Sequence, residues 1–356
     1  MNYGILTFAF AHNYGALLQA TALKDYVLKS GNTCRIVPYA PLEIEAIYTI
    51  NPIVPYISPK NTLSRFLKLR KRINSYRAFE KYKNIMYDGQ TEIHDQKGLV
   101  DNINTIDVLL LGSDQIWNTN IIHNDISYFM PNSFWPGKKI AYAASFGKKQ
   151  IDEFQRNAII TYIKDFNSIS LREEDGADDI YRIIGKRPKI VLDPVFLQEK
   201  AYWQLKCKKP KKIKEEKYIL FYSLSNDKDL VRKAEEFSKN LCMPIVAIHP
   251  TGSFCHMKAV FIDGVGPEEF LWLVFNASLV VTDSFHATAF SVIFEKKYFH
   301  LIRAEKESRI ESLLFRIGAY HYCDIQNGLL DFKLLDRSLL DTEINNSCVF
   351  LNNILS

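Results

Sequence analysis

ASLVVTDSFHATAFSVIF, residues 277–294, changes pattern halfway along, and that change decides the fold class. Leu279, Val280 and Val281 form the short apolar run of a parallel strand buried on both faces. Thr282, Asp283 and Ser284 stop the run, and Ser284 is a good helix N-cap. Ala287, Ala289, Phe290, Val292 and Ile293 then suit a helix. His286 falls in its first turn, just past the carboxyl end of a strand. Ligands of open α/β sheets bind there, and the unpaired amides of a helix start favour an anion. A titratable imidazole is thus aimed at an expected anion site; the plainer alternative is a structural histidine.

The composition around this unit is that of a globular protein. The chain has 356 residues, 47% hydrophobic and 24% charged, a length that suits two domains. Cys34, Cys207, Cys242, Cys255, Cys323 and Cys348 include no C-x-x-C pair and read as the reduced thiols of a cytosolic protein. His249, Cys255 and His256 lack metal-ligand spacing, so no metal is expected. The N-terminus lacks the charged start of a signal peptide, and no apolar run reaches the ~18 residues of a spanning helix. The net charge of +5 is uneven: residues 60–83 carry +8 and 206–217 carry +5, which leaves −8 on the remainder. A mildly acidic body with two basic segments is not a general nucleic-acid binder.

Strands and helices alternate along the whole chain, which predicts doubly wound α/β domains. Strand Tyr3–Phe8, helix Ala16–Lys29 and strand Cys34–Val37 make a first βαβ unit. Its loop, FAHNYGA, is no G-x-G-x-x-G fingerprint. The pattern resumes with strands Ile106–Leu111 and Lys139–Ala144, helix Ile151–Phe166, strand Ser168–Leu171 and a helix to Ile184. The stretch 201–217, rich in lysine, reads as a linker between an N-terminal domain (1–200) and a C-terminal one (218–330). Residues 331–356 form a helical segment expected to pack back on the first domain.

Between the early strands, Ser64–Met86 places apolar residues three or four apart with basic residues among them, an amphipathic basic insertion at about 60–86. Its plain role is a solvated face over a core. The sharper one is peripheral contact with a membrane surface or a lipid-diphosphate acceptor.

Taken in order, GILTF…HNYGALLQATAL, LLLGSDQIWN, YAASFG, SLREEDG, VLDPVF, GPEEFL and VVTDSFHATAFSVIF resemble the polysaccharide pyruvyl transferase family over residues 3 to about 320. The resemblance implies two Rossmann-like domains facing a cleft, like glycosyltransferase type B, with the acceptor on the N-terminal side and the donor on the C-terminal side. It implies transfer of a pyruvate ketal from phosphoenolpyruvate, as co-substrate and without a cofactor, to a sugar diol of a surface polysaccharide or its lipid-linked precursor. His286 matches the family's motif histidine, the expected proton donor, and Arg172 matches the arginine of its S-x-R-E segment. Phosphoenolpyruvate carries a phosphate and a carboxylate, so two or more cations are needed to hold it.

One departure stands out. Many members carry Arg-Leu-His where this chain has Ser284-Phe285-His286. Either Ser284 and other residues bind the donor, with Arg303 and Arg309 as nearby cations, or the donor differs. Among softer candidates, Asp114 could bind or deprotonate a sugar hydroxyl, Asn13 could hydrogen-bond the acceptor, and Trp117 could offer a face to a sugar ring. Each could equally cap a helix or pack locally. A glycosyltransferase using a nucleotide-sugar, and a non-catalytic scaffold of envelope assembly, are the competing readings.

Overall fold

The computed structural model describes residues 1–46, 48, 50, 69–123, 125–148, 150–225, 227–250, 257–301, 308–319, 323–324 and 329–355. Arg303, Lys68, Cys255, His256 and the first five residues of the expected basic helix lie outside this set. Two separate sheets account for the alternation. In the first, β1 (Asn2–Leu6), β2 (Thr33–Ile36), β3 (Val108–Leu111), β4 (Lys138–Ala144), β5 (Ser168–Leu171) and β6 (Lys189–Ile190) run parallel in the order β2-β1-β3-β4-β5-β6.

The second sheet holds β7 (Ile219–Tyr222), β8 (Ile245–Ile248), β9 (Val260–Ile262), β10 (Leu279–Thr282), β11 (Lys297–Phe299), β12 (Cys323–Asp324) and β13 (Leu329–Asp331). Its order is β12-β13-β11-β10-β7-β8-β9, and only the pairings of β13 are antiparallel. Strand order therefore reverses between β1 and β3 in the first sheet, and between β7 and β10 in the second. Those switch points open a crevice at the carboxyl ends of the strands.

Period-two alternation explains how the sheets meet. Ile5, Leu110, Leu220, Tyr222 and Val280 point to one core shared by both domains. Their neighbours Leu6, Leu109 and Leu111 face a second core, and Ile219, Phe221, Leu279 and Val281 a third. The longer helices are α1 (Tyr14–Lys29), α2 (Leu69–Met86), α3 (Gln96–Ile103), α4 (Glu153–Thr161), α5 (Ala177–Ile184), α6 (Lys200–Lys206), α7 (Lys228–Leu241), α8 (Pro267–Asn276), α9 (Phe285–Ile293), α10 (Ser308–Arg316) and α11 (Arg337–Leu355).

Between the sheets, Tyr14 of α1 stacks on Phe270 of α8 with ring centroids 4.7 Å apart and planes 6° apart, and on Phe79 of α2 at 5.1 Å. Each such pair adds about 0.5–1.5 kcal/mol beyond area burial.

Local differences from the sequence pattern have local causes. Residues 201–206, expected as linker, belong to helix α6 because Trp203 is wholly buried and its Nε1 donates to Val195 O (3.0 Å). Ile151–Phe166 splits into α4 and a 3-10 turn at Ile163–Asp165. Helix α11 crosses back to the first domain: Leu192 N donates to Ser347 Oγ (2.8 Å), and Tyr3 OH to Ile354 O (3.3 Å).

Candidate active site

Five strand ends converge on one buried cluster. Ser113 and Asp114 follow β3, Ser145 follows β4, Arg172 and Glu173 follow β5, Asp193 follows β6, and His286 opens α9 after β10. The β1–β3 crevice is pinned from below. Gln19 of α1 donates from Nε2 to Thr7 Oγ1 (3.0 Å) and accepts from Ser113 N (3.2 Å).

Asp193 is the hub, and one of its oxygens carries most of the contacts. Oδ2 accepts from Arg172 Nη1 (2.9 Å), lies 3.0 Å from Ser113 Oγ, and lies 3.4 Å from His286 Nε2. Burial alone would push the Asp193 carboxyl up; His286 and Arg172 outweigh it and hold it well below the usual carboxylate range. Arg172 is 4% exposed and Asp193 1% exposed, so the pair is sealed from water. Burial disfavours the charged guanidinium, but Asp193, Glu173 and Asp114 together hold it charged.

The remaining edge of Arg172 is different. Its Nε lies 3.6 Å from Glu173 Oε2 and its Nη2 lies 3.7 Å from Asp114 Oδ1, both too long for a hydrogen bond. Two buried guanidinium donors thus lack a hydrogen bond among the described residues and face carboxylates only at ion-pair distance, a costly state that a closer anion would relieve. Arg309 of α10 adds a second cation to the cluster. Burial lowers its pKa, Arg172 lowers it further, and Glu173 and Asp114 oppose them. Glu173 is raised by burial in spite of Arg172, Ser145 and Arg309.

Across the junction, the Phe285 ring lies under the Arg172 guanidinium at 4.3 Å. His286, 6% exposed, packs against Gly15 of α1 so closely that a Cβ there would lie 2.0 Å from its Cγ and Nδ1. Only glycine fits beside that imidazole.

Of the residues singled out by sequence, His286, Arg172, Asp114 and Arg309 come together here. Asp114 adopts the left-handed region (φ 78°), which aspartate tolerates better than most residues, and its Oδ1 accepts from Gln115 N (2.8 Å). Ser284 and Asn13 serve as helix caps: Ser284 Oγ accepts from Ala287 N (3.4 Å), and Asn13 Oδ1 from Gly15 N (3.0 Å) and Ala16 N (3.4 Å).

Trp117 is a correction. It is 0% exposed, its Nε1 donates to Tyr128 O (3.1 Å), and it packs with Phe129, Phe146 and Phe166, so it has no face to offer a sugar. Asp193 and Glu173 were absent from the sequence-derived site. Their signal was present, in VLDPVF and beside Arg172 in SLREEDG.

A family model described as polysaccharide pyruvyl transferase matches residues 13–303. No curated protein matches the chain. Among solved structures, a Listeria monocytogenes protein assigned as a UDP-N-acetylglucosamine 2-epimerase is similar at a TM-score of 0.50 and 10% identity, over 87% of this chain and 82% of that one. The Methanocaldococcus jannaschii UDP-GlcNAc 2-epimerase is similar at a TM-score of 0.46 and 14% identity, over 87% and 86%. E. coli ADP-heptose LPS heptosyltransferase II is similar at 0.37 and 11%, over 88% of each chain. At such identities the likeness concerns fold alone, and the first of them supports the two-domain arrangement resembling glycosyltransferase type B.

Proposed function

This chain belongs to the polysaccharide pyruvyl transferase family, and from that premise we propose that it transfers a pyruvate ketal from phosphoenolpyruvate to a sugar diol. The acceptor is a surface polysaccharide, such as a capsule or exopolysaccharide, or its lipid-linked precursor. The observation that carries this reading is the two Arg172 donors without a hydrogen bond, with Arg309 within electrostatic reach and His286 3.4 Å from the carboxylate that also binds Arg172.

Each residue then has a task. Arg172 and Arg309 hold the donor's phosphate and carboxylate, where buried cations bind anions more strongly than in water. Arg309 thereby supplies the cation absent at Ser284. His286 delivers a proton to the methylene carbon, and C2 becomes electrophilic. A sugar hydroxyl attacks C2 and gives its proton to Asp114; phosphate departs, and the second hydroxyl closes the ketal. Of the two hydroxyl protons, one replaces the proton spent on carbon and the other leaves with phosphate. Asp193 orients the imidazole and keeps Arg172 from turning away.

The test is phosphate release from phosphoenolpyruvate across a panel of lipid-linked saccharides, with nucleotide-sugars assayed in parallel. Release that depends on a saccharide supports the proposal. Turnover of nucleotide-sugars with indifference to phosphoenolpyruvate would make the protein a glycosyltransferase instead.

A further inference from the structure

The β1–α1 loop that brings Gly15 against His286 also builds an aromatic wall on its other side. His12, three residues before Gly15, is buried, with Nε2 3.0 Å from Glu80 Oε1 of α2. Its ring stacks on Phe79 at 5.1 Å with planes 8° apart, so it is fixed in place. Two tyrosines lean on it: Tyr76 of α2 at 5.1 Å and 62°, and Tyr48 at 5.6 Å and 43°. Phe10 supports Tyr48 from behind at 6.3 Å. Both tyrosines are half-buried, in contrast to the wholly buried Trp117.

We infer that a pyranose of the acceptor saccharide lies against the wall formed by Tyr48 and Tyr76, backed by the buried His12, with Asp114 at its inner end. The inference rests on the transferase reading for the direction in which the sugar points, though the wall can be tested without any donor. A pyranose presents C–H groups on its faces and hydroxyls around its rim. Half-exposed tyrosines offer ring faces to the first, and the Tyr76 hydroxyl reaches towards the second. A carboxylate beside them accepts from sugar hydroxyls.

Asp114 is close enough to act on Tyr48, whose hydroxyl burial and then Asp114 push up to about 12. Tyr48 is therefore a neutral donor at working pH. Asp114 in turn lies 3.7 Å from Arg172, so a sugar held at the wall would present its inner hydroxyls towards the free guanidinium edge. Such a site separates sugar binding from the chemistry: the wall sets acceptor affinity, and the buried cluster sets the rate.

The experiment is saturation-transfer difference NMR on the full chain without donor, using the methyl β-glycosides of glucose, galactose and mannose, with UMP as the rival stacking probe. At least one glycoside should give a signal that falls at least about fivefold in Tyr76→Leu, which keeps apolar bulk but loses the ring face, and in Tyr48→Leu. Tyr76→Phe should restore it. In turnover assays Tyr76→Leu should raise acceptor KM by about tenfold with kcat within about threefold.

Absence of any glycoside signal, or a signal unchanged in both leucine variants, overturns the inference. So does a response confined to UMP. Glycoside signals that behave as expected while phosphoenolpyruvate yields no phosphate would leave the saccharide wall standing and remove the donor reading instead. Unfolding midpoints near that of the unaltered protein verify that each variant is folded, and Tyr48→Leu carries the test if Tyr76→Leu does not fold.

Discussion

A single oxygen, Asp193 Oδ2, meets nitrogen-bearing side chains from both domains, Arg172 at 2.9 Å and His286 at 3.4 Å. Because removing one partner of a buried pair strands the other, this contact holds the two halves of the site in register. Glu173 lies in the same cluster with the opposite tendency. Burial raises its pKa, Asp175 adds to the rise, and Arg172, Ser145 and Arg309 oppose it. An acid raised on folding contributes stability below its unfolded pKa, and that contribution is lost as pH rises through the folded value. The unaltered protein should therefore lose stability from pH about 4 upward through this group. Glu173→Gln, neutral throughout, should gain relative thermal stability as pH rises; a difference in Tm that is constant with pH would refute this. Legibility at this scale followed chain locality. His286 and Arg172 each follow a recognisable strand, so both could be named from sequence. Asp193 precedes a proline and accepts from Val195 N (3.1 Å), which reads as a local cap. Its more important partner is remote in sequence, and no spacing encodes it.

Helix α2 shows the same limit one level up. Its period and charge were plain in the sequence, but not which neighbours its stripes would meet. The inner stripe is fully engaged: Phe79 is buried in the shared core, and Tyr82 OH lies 3.0 Å from Thr21 Oγ1. Lys83, one of the basic residues, is buried between Glu80 (2.6 Å) and Glu92 (2.7 Å). Burial would lower its pKa, and the two carboxylates more than compensate. Asn74 Nδ2 donates to Asp263 Oδ2 of the second domain (2.8 Å), so α2 braces both halves. Among the described residues, the outer stripe faces away, where Arg77 and Lys81 are exposed and Ile85 is 69% exposed. If this stripe meets an anionic bilayer, each cation contributes about 1 kcal/mol. Arg77→Gln with Lys81→Gln should then weaken binding to phosphatidylglycerol vesicles by about tenfold or more, and raised salt should do likewise. Vesicle binding indifferent to both changes would return α2 to a bracing role alone. Among the described residues, no helix is long and apolar enough to cross a membrane.

At the scale of the whole molecule, the two α/β domains were legible because buried parallel strands leave uninterrupted apolar runs, as in Val108–Leu111 and Ile245–Ile248. Their joint core was not, since alternation along a strand assigns residues to faces without saying what covers each face. Only the fold shows that Tyr14, Phe270 and Phe290 fill one space between the sheets. That shared core sets His286 of the second domain beside Arg172 of the first, and their duties in the proposed reaction are separable. The proton moves only as the transition state forms, so His286 should govern turnover, whereas Arg172 should also govern donor affinity. The decisive measurement is the rate of phosphate release from phosphoenolpyruvate at saturating acceptor, together with donor affinity, for the unaltered protein, His286→Asn and Arg172→Gln. His286→Asn should lower turnover by on the order of 10²–10⁴ and leave donor affinity within several-fold, while Arg172→Gln should weaken donor binding as well. Near-normal turnover in His286→Asn would contradict the account and make His286 a structural histidine.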